Sequence, residues 1–407
     1  MKRFVASPCA LVAACVSLLL AVAAGCGSRL SADAGAFDMG RTPVLIYNED
    51  DSSYATGRHG PPDEDGLRAY LRRLAAGGRV THFFACPNAM RVNWESKVVE
   101  PYWNDLESFG ENVCDWQFVW RRMHDLRIDV YRVWFDEARA CGLSPWLSIR
   151  MNDVHLADVP RHALHSRFWH EHPEFRRVPS SRGIPVTDFA LDYSRAEVRA
   201  YWKDFLAEAF SRYDIDGLEL DWVRFCEHLP PGREREFSWC IDEVVREARR
   251  LADAAAGRLG HAVRVGCRVL SRPGDSLARG VDFEAWARSG WIDLLVPCNF
   301  FGSVDFNLPY AEWRRRVDAC SRRGGRRVVV VPGLDNGLVE NGRRRRLTLA
   351  EYAVFADRMY RQGAPGVYLF NAFDNDGEVY SSLVGEGLPP DLCAERAKGV
   401  AVPDGYD

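Results

Sequence analysis

The chain has 407 residues, 47% of them hydrophobic and 27% charged, with 53 Lys and Arg against 57 Asp and Glu for a formal net charge of −4. That length supports one large domain with a full core, and nothing in the mildly acidic balance suggests a nucleic-acid partner. The only basic block, residues 343–346, reads as a solvated turn ahead of a helix.

The first element in chain order is an export segment. Lys2 and Arg3 precede an apolar run from Leu11 to Ala24, broken by Ser17 and ending in small residues before Cys26. Such a run is too short to span a bilayer and reads as a secretory signal. Small residues directly before a cysteine resemble a bacterial lipobox, with Ala23 where leucine is usual. The resemblance implies a lipoprotein signal over 1–26, a membrane anchor through lipid on Cys26, placement at the cell envelope, and a tether over 27–42. Of the twelve cysteines, Cys9 and Cys15 fall in the signal and Cys26 is the anchor, which leaves nine. Those nine have neither zinc-finger nor Cys-x-x-Cys spacing, and Cys86, Cys267 and Cys298 read as small buried hydrophobes.

From residue 43 onward, eight apolar strand-like runs alternate with helix-period segments. The runs lie at 43–47, 81–86, 143–150, 216–222, 262–270, 292–300, 327–333 and 366–371. Amphipathic segments fall at 67–74, 130–141, 194–213, 234–255, 310–322 and 349–362. In the segment 194–213, Val198, Tyr201, Trp202, Phe205, Leu206, Ala209 and Phe210 share one face, and Ser194 with Glu197 has capping-box spacing. Eight strand–helix units without a Gly-x-Gly-x-x-Gly turn predict an α/β fold, a (β/α)8 TIM barrel in a single domain over 43–375. Residues 376–407 form a tail that wraps the barrel or frays. Two long gaps, after the second and third strands, fall on the face where barrel enzymes build their sites.

Residues at the strand ends are therefore the candidate site. They are Asn48, Glu49 and Asp50; Asn88 and Arg91; Arg150, Asn152 and Asp153; Glu219, Asp221 and Arg224; Arg268, Asn299, Asp335, Asn336, Asn371 and Asp374. Tyr54, Trp94, Trp222, Phe300 and Phe301 border them. Amides, carboxylates and guanidiniums pair with sugar hydroxyls, and aromatic faces stack on sugar rings, so the mixture points to a carbohydrate. Strand four is the sharpest part. Glu219 and Asp221 alternate with Leu218, Leu220 and Trp222, which puts both carboxylates on one face. Two inward carboxylates repel, so one is expected to hold its proton while the other stays ionised, with Arg224 and Arg268 as partners.

The segment from Asp216 to Phe225 resembles the strand-four motif of the bacterial glycosyl-hydrolase-like lipoproteins, Asp-Gly-(Ile/Leu)-x-x-Asp-(Asp/Tyr)-x-Arg-(Phe/Tyr). The stretches from Trp286 to Pro297 and from Phe168 to Phe175 are similar to further segments of that family. The resemblance implies a barrel acting on polysaccharide with Asp221 as the catalytic carboxylate. The strand is also similar to the chitinase motif Asp-Gly-x-Asp-x-Asp-x-Glu, but Val223 stands at the position of the acid, which excludes that mechanism. Five of the ten histidines crowd 155–172 without a familiar ligand spacing, so no metal and no cofactor is expected, and His155 is assigned to hydrogen-bonding substrate or tuning a carboxylate.

The expectation is thus hydrolysis of an O-glycosidic bond. Asp221 serves as nucleophile or electrostatic stabiliser, and Glu219, Asp335 or Glu49 as the acid. Arg150, Asn152, Asn299 and Asn371 hold hydroxyls, with Asn88, Arg91, His155, Arg224 and Arg268 beside them, and Trp94 and Trp222 are candidate stacking platforms, although strict alternation points Trp222 away from the site. Two other readings stay open on the same scaffold: a non-catalytic carbohydrate-binding lipoprotein and a metal-dependent hydrolase.

Overall fold

The computed structural model describes residues 43–403 apart from 58, 179–184, 300–303, 325 and 375–376. The export segment, Cys26 and the tether lie outside the described residues, as do Phe300 and Phe301. The strands are β1 (Val44–Glu49), β2 (His82–Ala85), β3 (Ser144–Arg150), β4 (Gly217–Asp221), β5 (Arg264–Leu270), β6 (Leu294–Cys298), β7 in two pieces (Val329–Val330 and Gly333–Leu334) and β8 (Gly366–Leu369). Neighbours pair in parallel from β8 through β1 to β6. The first piece of β7 pairs with β6 and the second with β8. Between them, Val331 N–H donates to Leu295 and the Pro332 carbonyl accepts from Tyr368 N–H. One strand therefore joins both ends of the sheet, and the fold is a closed (β/α)8 barrel without a free edge.

The helices follow local signals. Besides two short ones at Arg167–Glu171 and Pro273–Ala278, they are α1 (Glu64–Ala76), α2 (Asp115–Asp125), α3 (Val130–Ala140), α4 (Ala196–Arg212), α5 (Ser238–Leu259), α6 (Phe283–Ser289), α7 (Tyr310–Gly324), α8 (Leu349–Arg361), α9 (Gly377–Gly385) and α10 (Pro390–Arg396). Asp63, Asp129 and Asp282 cap α1, α3 and α6 with side-chain acceptors, and Thr348 with Glu351 forms a capping box on α8. The capping box expected at Ser194 does not form. Ser194 gives its hydroxyl and amide to Asp192 instead, and α4 begins without a side-chain cap. The tail folds as α9 and α10, which pack on α1 and α8 and bury Leu383 and Cys393. All nine described cysteines are free.

The basic block also differs from expectation. Gly337–Glu340 and Arg343–Arg346 form an antiparallel hairpin directly after β7. Asn341 (φ 51°) and Gly342 (φ 72°) supply the two left-handed residues that a type I′ turn needs.

Inside the barrel, Val44, Ile46, Phe84, Trp146, Leu294, Val296, Val329, Val331, Tyr368 and Phe370 form a closed apolar cluster. The Trp146 indole is its plug, stacked on Phe84 at 4.7 Å. The next two strands, β4 and β5, carry glycine where that indole passes: a Cβ on Gly217 would lie 2.5 Å from its ring, and one on Gly266 would lie 3.3 Å away. Glu219 and Asp221 are thereby confined to the upper barrel.

Gly217→Ala is therefore expected to destabilise the protein by about 1–3 kcal/mol through overpacking. Gly257→Ala is the control, because that α5 position has nothing within 4 Å and gains up to about 1 kcal/mol in helix propensity. Chemical denaturation of both variants checks the pair. Equal stabilities would contradict the plugged barrel.

Candidate active site at the barrel mouth

Register places the strand-four carboxylates against their neighbours. Ser148 pairs across from Glu219, and Arg150 and Arg268 flank Asp221 on β3 and β5. Glu219 is fully buried. Its Oε1 accepts from the Ser148 hydroxyl at 2.7 Å and the Tyr368 hydroxyl at 2.9 Å. Oε2 has no partner among the described residues. Burial, with the Asp221 charge added, pushes its carboxyl up to about 7.

Asp221 is the opposite case. Arg268 Nε donates to Oδ1 at 3.0 Å and Nη2 to Oδ2 at 2.6 Å. The Val223 and Arg224 amides also donate to Oδ1, at 2.9 and 3.0 Å. Both side chains of this pair are 1% exposed. The Phe370 ring lies 3.8 Å from the Arg268 guanidinium carbon. Asp221 is thus a fixed negative charge whose two oxygens are both occupied.

Around the rim, Arg150 ties three carboxylates. It pairs with Asp50, and its Nη1 lies 3.3 Å from Asp51 and 3.2 Å from Asp153. Burial raises the Asp153 carboxyl, but His155 and Arg150 outweigh it and hold the group well below the usual range. Arg224 Nη2 lies 2.9 Å from His155 Nε2. Arginine only donates, so Nε2 accepts and Nδ1 carries the hydrogen that goes to Asp153 at 2.8 Å. Asp50 and Asp51 are adjacent buried carboxyls. Burial and the neighbouring Asp50 raise Asp51 against the pull of Arg150, whereas Arg150 and Arg224 overcome burial at Asp50 and lower it. One proton therefore resides on this pair, mainly on Asp51, with Tyr102 donating to that carboxyl. Asp50 has the most open side chain of the mouth carboxylates, at 12%.

Asp335 closes the ring at the end of β7. Its Oδ1 accepts from Asn336 N–H at 2.6 Å, Asn371 Nδ2 at 3.1 Å and Arg344 Nη2 at 3.2 Å. Asn299 Oδ1 accepts from the Asp335 amide at 3.2 Å, so Asn299 and Asn371 both position this carboxylate. Asn371 does so from a left-handed backbone, φ 56°. No hydrogen bond to Asp335 Oδ2 forms among the described residues. Among the described residues, Asn48, which alternates inward with Ile46, is buried with neither amide atom bonded, and Asn299 Nδ2 is likewise orphaned. Buried amides without partners are uncommon and mark polar capacity that a polar guest satisfies.

Several expected site residues stand elsewhere. Glu49 faces the helices and bonds Tyr47, Tyr70 and Ser53 behind β1. Trp94 is wedged on the barrel flank, stacked on Phe205 at 5.6 Å with its Nε1 donating to Glu208. Trp222 packs among Tyr193, His228 and Trp286, on the outer side of β4. Tyr54 is core between Tyr70 and Trp134. Asn88 is spent on the Arg150 and Ala89 backbone, Arg91 on the His165 and Asn104 carbonyls, and Asn152 on Leu191 and Glu227. These three join loops to the barrel. Glu219, Asp221, Asp335, Arg150, His155, Arg224, Arg268, Asn299 and Asn371 gather in or beneath the mouth. Asp51, Tyr102, Phe370 and Arg344 join them without having been singled out. Among the described residues, no three His, Cys, Asp or Glu side chains converge as a metal site.

No family model and no curated protein matches the chain. Solved structures similar to it include the PgaB (BpsB) glycoside hydrolase domain from Bordetella bronchiseptica, at 11% identity and TM-score 0.49, over 86% of this chain and 99% of that one. Another is α-L-fucosidase isoenzyme 2 from Paenibacillus thiaminolyticus, at 10% identity and TM-score 0.48, over 87% of this chain and 49% of that one. A third is an α-amylase from Malbranchea cinnamomea, at 15% identity and TM-score 0.40, over 88% and 77%. These neighbours are glycoside hydrolases, but at such identities and scores they carry no argument about the chemistry at this mouth.

Glu219 generates a pH-dependent prediction. Its folded carboxyl titrates near 7 rather than its ordinary 4.5, so between those values the folded chain keeps a proton that the unfolded chain has lost. Rising pH removes stability across that window, and the full cost is present above it. Glu219→Gln is expected to stabilise the protein at pH 8 by up to about 3 kcal/mol, with the gain vanishing below pH 4.5. A gain independent of pH would contradict the assignment.

Proposed function

We propose that the chain hydrolyses O-glycosidic bonds of a poly- or oligosaccharide at this mouth. The observation that carries the reading is the division among the mouth carboxyl groups. Asp153 and Asp221 have both oxygens occupied, Asp335 keeps Oδ2 uncommitted, and Asp50 with Asp51 holds one proton. Carboxyls driven apart in protonation are what acid and base roles require. The orphaned Asn48 and Asn299 amides suit sugar hydroxyls.

In this reading Asp51 passes the proton of the pair to the Asp50 carboxylate, which is open to the mouth and delivers it to the leaving oxygen. Asp335 acts from the other side of β8, either on water or on the anomeric carbon. Two strand spacings separate their backbones by roughly 10 Å, a gap that admits a sugar between the carboxyls. The charges of both act on the buried Arg224 guanidinium. Asp221, held by Arg268, supplies the stationary negative charge that favours an oxocarbenium-like transition state. Its role is thus the stabiliser of the two that strand four suggested.

The occupied oxygens of Asp221 also favour a second reading, a barrel that binds carbohydrate without cleaving it. Turnover separates the two. Asp335→Asn is expected to lower hydrolysis across an oligosaccharide panel by at least about a hundredfold, with the melting temperature kept. Binding of the panel by the unaltered protein without any cleavage would establish the second reading. Normal turnover by Asp335→Asn would remove Asp335 from the mechanism.

A further inference from the structure

The hairpin after β7 carries four consecutive arginines, and they do not share one task. Alternation along Arg343–Arg346 puts Arg344 and Arg346 on one face and Arg343 and Arg345 on the other. Arg345 is closed off, with Glu340 at 2.8 and 3.0 Å and Glu351 at 2.9 and 2.6 Å. Arg344 turns the other way, into the mouth. Its Nη2 lies 2.7 Å from Asn336 Oδ1 and 3.2 Å from Asp335 Oδ1.

That approach is built into the hairpin. A Cβ on Gly337 would lie 2.3 Å from Arg344 Nε and 2.6 Å from Nη2, so the guanidinium lies across a position that only glycine leaves clear. Only Nη2 is bonded among the described residues, and the side chain stays 41% exposed. Elsewhere in the mouth, Arg150 and Arg268 are consumed by buried carboxylates. Arg344 is instead docked by one nitrogen, with the rest of its planar fork open beside the uncommitted Asp335 Oδ2.

We propose that Arg344 forms an anion subsite of the mouth and that the substrate carries a uronic acid there. The inference rests on the hydrolase reading. In a uronic acid the carboxylate is borne by C5, which the ring oxygen joins to the anomeric carbon. A sugar with its anomeric centre at Asp335 therefore brings that carboxylate to the neighbouring guanidinium, where planar fork and planar anion match.

The test compares a uronate-containing oligosaccharide with the same oligosaccharide after reduction of its carboxylates to alcohols. The protein is expected to favour the uronate form in kcat/KM by about tenfold or more, the worth of one charge-assisted contact. Arg344→Gln should bring the ratio close to one, Gly337→Ala should lower it by displacing the guanidinium, and Arg343→Gln should keep it. No preference in the unaltered protein, or a preference that survives Arg344→Gln, overturns the subsite. A stronger preference for a sulfated neutral glycan overturns the uronate assignment. If neither form is cleaved, the hydrolase reading fails by itself. Calorimetric binding of the same two oligosaccharides then decides the subsite, with equal affinities in the unaltered protein counting against it.

Discussion

The mouth of this barrel is organised around one buried ion pair, Asp221 with Arg268. Removing two charges from water is expensive, and the attraction offsets the cost only where the geometry is good and the remaining lone pairs are satisfied. Here two guanidinium contacts and two backbone amides supply that satisfaction. The consequences spread outward. The amides belong to Val223 and Arg224, so the pair sets the turn that leaves β4 and delivers Arg224 to His155 on the rim. The Arg268 face rests on Phe370, which couples β5 to the end of β8 across the barrel. The charges are in place before any ligand arrives, and such preorganisation is what makes fixed dipoles and ions effective in catalysis.

Beneath the pair, the barrel is sealed. Trp146 fills the space that Gly217 and Gly266 leave open, and Glu219 lies above it with its carboxyl raised by burial and by the Asp221 charge. Chemistry is thereby restricted to the top layer and the loops above it, where Asp50, Asp335 and the hairpin meet. The two layers place opposite demands on carboxyl groups. The lower one pushes the Glu219 carboxyl up, and in the upper one guanidiniums lower Asp50 and Asp153 while Asp51 beside them is raised.

Much of the architecture was legible because alternation is a strong signal in buried parallel strands. All eight apolar runs became barrel strands, and period two placed Glu219 and Asp221 inward and Trp222 outward. The same rule applied to Val44, Ile46 and Asn48 would have turned Glu49 outward. The Asn341-Gly342 dipeptide was likewise a readable hairpin signal, obscured by the arginine run behind it. Other misses had no such signal. Asn88, Arg91 and Asn152 have the composition of ligand-binding groups, but loop backbones consume their hydrogen bonds, and only coordinates reveal who the partner is. Trp94 belongs to a loop that descends to Glu208 on α4, a contact between residues far apart in the chain. Ser194 donates its hydroxyl to Asp192, and α4 starts one residue later than the box requires, with Arg195 at its N-cap.

The most direct measurement on the central ion pair is a double-mutant cycle with Asp221→Asn and Arg268→Met, read by chemical denaturation. Each single change strands a buried polar or charged group, so each is expected to cost about 3–5 kcal/mol. The double variant strands neither to the same degree and should be less destabilised than the sum, with a coupling of at least about 2 kcal/mol. Additive losses, or an Asp221→Asn variant as stable as the parent, would contradict a mouth organised around this pair.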